Sequence, residues 1–134
     1  MSETSSVVPE SHIDILEKKG FAHVATIGPH GEPHSSPVWY GWDGHELSFS
    51  QTTRRQKYRN LQKNRLIALS ITDPDDPYRY VEIRGVVDRI DEDPDYAFID
   101  SMAKKYLDQD VYPWHQPGDH RVIVRVRPEH VTVQ

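Results

Sequence analysis

The segment Thr52-Thr53-Arg54-Arg55-Gln56-Lys57 holds the residues whose types and spacing point most directly to chemistry. It leads into a stretch with helical spacing, and a helix start exposes unpaired N–H groups and a partial positive charge. Acidic residues usually stand there. Here three cations do, at a cost of about 0.3–1 kcal/mol for each exposed charge. Arg55 with Arg59, and Arg59 with Lys63, add like-charge i,i+4 pairs costing about 0.2–0.5 kcal/mol each. A bound anion reverses the sign of both terms. Free N–H groups, threonine hydroxyls, a planar guanidinium and a lysine point charge suit a phosphate. The plainer alternative is a solvated basic helix whose cations pair with carboxylates elsewhere.

The wider charge distribution favours a local anionic ligand. The 134-residue chain has a net charge of −5, which argues against a general nucleic-acid binder. Yet residues 51–72 contain no Asp or Glu and hold six of the sixteen Lys and Arg. The chain has no cysteine, so disulfides, thiolate zinc sites and cysteine nucleophiles are excluded, and a cytoplasmic location is expected. With 36% apolar and 28% charged residues it reads as one soluble domain, without a membrane span or a signal peptide. His30 and His34 are four apart, but Gly31 and Pro33 between them deny the helix that spacing needs, so no metal site is expected.

The elements that would position the basic segment are short. Residues 1–10 read as a flexible tail and residues 11–134 as a single domain. Ser11–Lys19 suggests a short helix stopped by Gly20. Strands are predicted at Phe21–Ile27, Pro33–Tyr40 and Glu46–Ser50, joined by turns at Gly28–Gly31 and Asp43-Gly44. Pro37 implies an edge, bulge or bend. A helix is predicted over Thr53–Lys63, capped by Thr52 or Thr53 and ended by Asn64. Strands follow at Leu66–Ile71 and Arg79–Ile90, with a loop at Asp73–Pro77 and a possible bulge at Gly85. Asp93-Pro94 reads as N-cap and first residue of another helix, with Phe98, Ile99, Met102 and Tyr106 on its apolar side. A loop spans Asp108–Asp119. Arg121–Val126 is the next strand, broken by Pro128 and resuming at His130–Val133. Links this short permit only antiparallel pairing. The expected fold is mainly β: six or so antiparallel strands in a barrel with two to three helices.

The stretch SQTTRRQKYRNLQKNRLIAL (residues 50–69) resembles the flavin-phosphate segment of the pyridoxamine 5′-phosphate oxidase-like split-barrel family. The run FAHVATIGPHGEPHSSPVWYGWDGHELSFS resembles that family's first three strands. YPWHQPGDHRVIVRVRPEHV is similar to the C-terminal strand of its actinobacterial branch, which uses the deazaflavin coenzyme F420. The likeness covers roughly residues 12–133. It implies an FMN-binding-type split β-barrel in which Arg55 and Lys57 hold the cofactor phosphate. Ser50, Gln51 and Thr52 match the strand end and loop beside the cofactor. Ser35, Ser36, Pro37 and Val38 match the segment that runs along its ring. It also implies a homodimer, with Tyr78, Trp114 and His115 closing over the ring from the partner subunit. Arg54, Arg59 and Lys63 remain as surplus cations that could follow the carboxylate-bearing tail of F420.

The function expected from these readings is an F420-dependent oxidoreductase passing a hydride to a small electron-poor substrate. Alternatives are an FMN-binding oxidase or reductase of the same fold, a flavin-binding carrier or sensor without turnover, and an anion-binding interaction module. No residue stands out as a catalytic acid or base.

Overall fold

The computed structural model describes residues 7–134. Seven strands form one antiparallel sheet: β1 (Ala22–Ile27), β2 (Pro33–Val38), β3 (Gly41–Trp42), β4 (Leu47–Thr52), β5 (Leu66–Asp73), β6 (Asp76–Glu92) and β7 (Arg121–Val133). Their order is β2-β1-β5-β6-β7-β4-β3. The helices are α1 (Ile13–Glu17), after a 3₁₀ turn at Glu10–His12, α2 (Gln56–Lys63) and α3 (Ala97–Leu107).

The order itself requires a curled sheet. β2 and β3 lie on opposite edges, which in a flat seven-stranded sheet would be about 29 Å apart. Only Trp39 and Tyr40 separate them in the chain, and that link can reach about 10 Å. The sheet therefore bends until its edges approach, giving the split barrel. Inside it, alternate residues of each strand form one core: Val24, Phe49, Leu69, Ile71, Val81, Ile83, Val124 and Val126 are almost fully buried. Each such side chain contributes about 1.5–3 kcal/mol by leaving water. Tyr40, fully buried in the link, donates its hydroxyl to the Ile15 carbonyl at 2.8 Å and so ties α1 to the barrel.

Several boundaries differ from those read in the sequence, each for a local reason. Of residues 1–10, residues 1–6 lie outside those described, while Val8 is buried in the core and the 3₁₀ turn begins at Glu10. The helix predicted from Thr53 starts at Gln56, because Thr52 ends β4 and Thr53 is tied to the neighbouring chain before β7. Thr52 pairs with Arg121, and the Thr53 N–H donates to the His120 carbonyl at 3.0 Å. Asp73–Pro77 is not an open loop but a tight hairpin between β5 and β6. Its Asp73 carboxylate accepts the Asp75 N–H at 2.9 Å. Asp93 caps α3 from a distance: its carboxylate accepts the Phe98 and Ile99 N–H groups at 3.2 and 3.3 Å, while the helix itself starts at Ala97.

Pro128 does not break the last strand. It faces Gly85 at a register shift between β6 and β7, where Glu129 of β7 is left unpaired and a residue without an N–H is tolerated. A Cβ on Gly85 would stand 2.1 Å from the Arg127 carbonyl oxygen, so only glycine lets the two strands approach. The expected bulge at Gly85 and the expected edge position of Pro37 are both present. No helix among the described residues is long and apolar enough to cross a membrane.

Candidate cofactor site

One cavity of about 260 Å³ opens where the ends of β2, β4 and β7 meet α2 and α3. Of the residues singled out in the sequence, Pro37, Val38, Ser50, Gln51, Thr52, Arg55, Lys57 and Trp114 line it. The lining also includes Phe21, Trp39, Ile99, Met102, Tyr112 and Arg121. It contains three cations and no carboxylate. None of Arg55, Lys57 and Arg121 has an acidic partner within ion-pair distance among the described residues.

The strands explain this placement. On β4, Leu47 and Phe49 point into the core, so Ser48, Ser50 and Thr52 occupy the other face. β7 lies opposite, with Arg125 across from Ser48 and Arg121 across from Thr52. Arg125 donates to the Ser48 hydroxyl at 3.1 Å and Arg121 to the Ser50 hydroxyl at 3.0 Å. Arg55 occupies the N-cap position of α2 without a side-chain cap, leaving the first N–H groups of the helix available to an anion. Lys57 donates to the Ser36 hydroxyl at 2.7 Å, and its ammonium lies 5.7 Å from the centre of the Phe49 ring. Burial, reinforced by the nearby Arg55 charge, pulls the Lys57 ammonium down to a pKa of about 8.

Aromatic rings wall the opening. Trp39 stacks on Tyr106 at 4.9 Å, and Tyr112 meets both Trp39 and Trp114 edge-on at 5.9 and 5.7 Å. The Tyr112 ring also lies 4.8 Å from the Arg121 guanidinium. Two buried polar atoms at this cavity have no hydrogen-bond partner among the described residues, the Thr52 Oγ1 and the Arg121 Nε.

The remaining sequence candidates lie elsewhere. Ser35 is exposed on the edge strand β2, and Ser36 acts through Lys57 rather than lining the cavity. Arg54 is ion-paired with the buried Asp119, whose carboxylate also accepts the Gln116 N–H at 3.1 Å. Arg59 folds back on its own helix, donating to the Arg54 carbonyl and the Gln56 side chain, both at 2.8 Å. Lys63 is exposed at the far end of α2 and outside the cavity. Tyr78 is 79% exposed near the start of β6, and His115 packs against Tyr96. Sequence reasoning missed Arg121 and Tyr112. The signal for Arg121 was a cation opening a valine-rich strand, which needs the β4 register before it gains a place.

The family model for pyridoxamine 5′-phosphate oxidase matches residues 8–134. Among solved structures, the chain is similar to an F420 reductase, with 42% identity, a TM-score of 0.85 and coverage of 93% of this chain and 98% of that one. It is also similar to a conserved hypothetical protein from Mycobacterium tuberculosis, at 26% identity and a TM-score of 0.75, covering 99% and 88%. A curated relative is the 5a,11a-dehydrotetracycline/5a,11a-dehydrooxytetracycline reductase of Streptomyces rimosus, 34% identical over 68 residues. That match spans about half the length of each chain, 48% of both. With the family model covering all but the first residues and the split barrel in place, the chain belongs to the pyridoxamine 5′-phosphate oxidase family.

Proposed function

We propose that this protein is an F420-dependent reductase acting on a small, electron-poor organic molecule. The observation that carries the reading is the cavity holding Arg55, Lys57 and Arg121 without a carboxylate, in a chain that is acidic overall. Such a cavity repels itself when empty and favours a phosphate-bearing ligand. The 42% identity to an F420 reductase over nearly the whole chain supports the deazaflavin form of that ligand. The likeness of half the chain to a 5a,11a-dehydrotetracycline/5a,11a-dehydrooxytetracycline reductase supports the reductase activity.

The residues present fit such a cofactor. Arg55, Lys57 and the first N–H groups of α2 hold its phosphate. Pro37, Val38, Ser50 and Gln51 border the ring system, and Trp39, Met102 and Tyr112 keep water from it. The Ser36 hydroxyl fixes the Lys57 ammonium at 2.7 Å, so the cation is pre-positioned. When bound, the cofactor supplies the hydride chemistry, and the protein binds, orients and shields it. At about 260 Å³ the cavity falls short of the usual size of a ligand pocket, ~300 Å³ or more. Phe21 and Trp114 are more than half exposed. Both facts support completion of the site by a second copy in a homodimer, with the exposed Tyr78 contributed across the interface; Trp114, expected from the partner, instead lines the cavity of its own chain, and His115 packs on its own Tyr96. Light scattering showing a monomer with cofactor bound would remove that part.

A second reading, an FMN enzyme, is favoured by one observation. Arg54 and Arg59 are engaged within the protein, which leaves fewer surplus cations for the acidic tail of F420. The absorption spectrum of protein purified from a host that makes both cofactors separates the two. A deazaflavin spectrum supports the proposal, and an oxidised flavin spectrum replaces it with the FMN reading.

A further inference from the structure

We infer that Arg121 and Thr52 form a further cofactor-binding element, which takes acceptor oxygens of the bound cofactor. This deepens the function proposed above and rests on it.

Arg121 is 8% exposed and Thr52 5%. The two stand opposite each other in the β4–β7 register and both line the cavity. Arg121 spends one N–H, on Nη1, in donating to Ser50. Its opposite edge carries the Nε and Nη2 donors, the fork that matches two oxygens of an anion or of paired carbonyls. Among the described residues the buried Nε has no partner, and neither does the buried hydroxyl of Thr52 on the facing strand. The guanidinium is held by two contacts that leave this edge free: the Ser50 hydroxyl at one end and the Tyr112 ring, 4.8 Å away, against it. Buried donors without protein partners carry a desolvation cost that the protein's own groups do not offset. Two such donors on adjacent strands, at one cavity without a carboxylate, are explained by a ligand that supplies the missing oxygens. A purely structural arginine at this position would be expected to meet a carboxylate, as Arg125 meets Asp91 at 3.0 Å four residues along the same strand.

The oxygens could belong to the cofactor's phosphate or to the carbonyls of its ring, and ligand pairs separate the two. Affinities are measured by fluorescence titration for F420 and its phosphate-free deazariboflavin core, and for FMN and riboflavin. Arg121→Lys keeps the charge but removes the fork. It is expected to weaken at least one pair tenfold or more. A loss confined to the phosphate-bearing members assigns the phosphate, and an equal loss within a pair assigns the ring carbonyls. Thr52→Val keeps the shape and removes the orphan hydroxyl. It is expected to raise the unfolding midpoint of the free protein while weakening the same ligands. Unchanged affinity for all four ligands in both variants overturns the inference and leaves Arg121 as a support for Ser50 and Tyr112. Wild-type protein that prefers FMN refutes the F420 reading but leaves this inference to be judged on the flavin pair. Wild-type protein that binds none of the four refutes both.

Discussion

Lys18 and Arg79, beside the β5–β6 hairpin, are cations of the same kinds as Lys57 and Arg55 in opposite surroundings. Arg79 donates to Asp14 and Asp73 at 2.7–2.9 Å and also to the Ser11 carbonyl. Lys18 meets Asp73 at 2.9 Å and Asp75 at 3.0 Å. Each cation there has carboxylates within reach, and their hydrogen bonds raise the pKa of both Lys18 and Arg79. The carboxylates move the other way. Hydrogen bonding to Arg79 brings Asp14 to about 2, and hydrogen bonding to Lys18, then to the Asp75 N–H, brings Asp73 to about 2. At the cavity the sign reverses: burial lowers Lys57 to about 8 with no acid to oppose it. The first cluster is complete within the chain and holds α1 to the β5–β6 hairpin. The second has no carboxylate to complete it among the described residues, which supports its proposed role as a binding site rather than a brace.

The largest effect expected from breaking this contrast is at the cavity. Arg55→Ala and Lys57→Ala should each weaken cofactor binding by about 1.5–3 kcal/mol, roughly ten- to a hundredfold or more, as for a hydrogen bond to a charged group. Thermal unfolding of the free variants should occur at the wild-type midpoint or above, because a repulsive charge has gone. Unchanged affinity in titrations of both variants removes them from the site.

Arg79→Ala should do the reverse, lowering the unfolding midpoint while leaving cofactor affinity in place. The brace also predicts an acid limb. Asp14 and Asp73 have folded pKa values of about 2, below the ordinary carboxylate range. Their contribution is therefore complete above pH ~4 and is lost as the pH falls toward ~2. Denaturant melts over that range should flatten in Asp73→Asn, and an unaltered slope counts against the brace.

A smaller effect follows from Lys57. With its folded pKa near 8, the ammonium is lost at a pH where an ordinary lysine keeps it. The unfolded chain holds that proton up to a pH of about 10.5, so the Lys57 contribution to folding stability rises between pH ~8 and ~10.5. Binding has the opposite slope, because the phosphate needs the charged form. Cofactor affinity should fall as the pH passes 8, and calorimetry at pH 8 should show proton uptake as an enthalpy that depends on the buffer. A buffer-independent enthalpy with flat affinity from pH 7 to 9 contradicts the assignment.

The smallest effect is expected at the outer helix face. Arg59 is held by its own helix, so Arg59→Ala with Lys63→Ala should lower F420 affinity less than tenfold and leave FMN affinity nearly unchanged. The small difference should vanish at high salt. A larger loss shows that the acidic tail follows this face after all.

Much of the site was legible because local sequence specifies it. Arg55 and Lys57 of the acid-free basic segment, the strand end at Ser50–Thr52 and the Pro37-Val38 run all line the cavity, whereas Arg54, Arg59 and Lys63 of the same segment do not. The antiparallel barrel follows from short links, although six or so strands are expected from them and seven form, and the irregularity at Gly85 follows from a glycine inside a valine-rich strand. What stayed hidden depends on long-range register. Arg121 and Thr52 are 69 residues apart in the chain and meet only through the β4–β7 pairing. Arg54 looked like a free cation until the loop before β7 brought the buried Asp119 to it. The threonines looked like helix caps because a cap and a strand end share the same extended backbone, and only the partner strand decides between them.

The most direct test of the account is calorimetric titration of cofactor-free protein with F420 and with FMN at low salt. The account predicts that F420 binds at least tenfold more tightly, about 1.4 kcal/mol, and that Arg55→Ala with Lys57→Ala removes most of the affinity for both. FMN binding as tight as F420 or tighter contradicts the deazaflavin assignment, and affinity that survives the double substitution contradicts the cavity as the phosphate site.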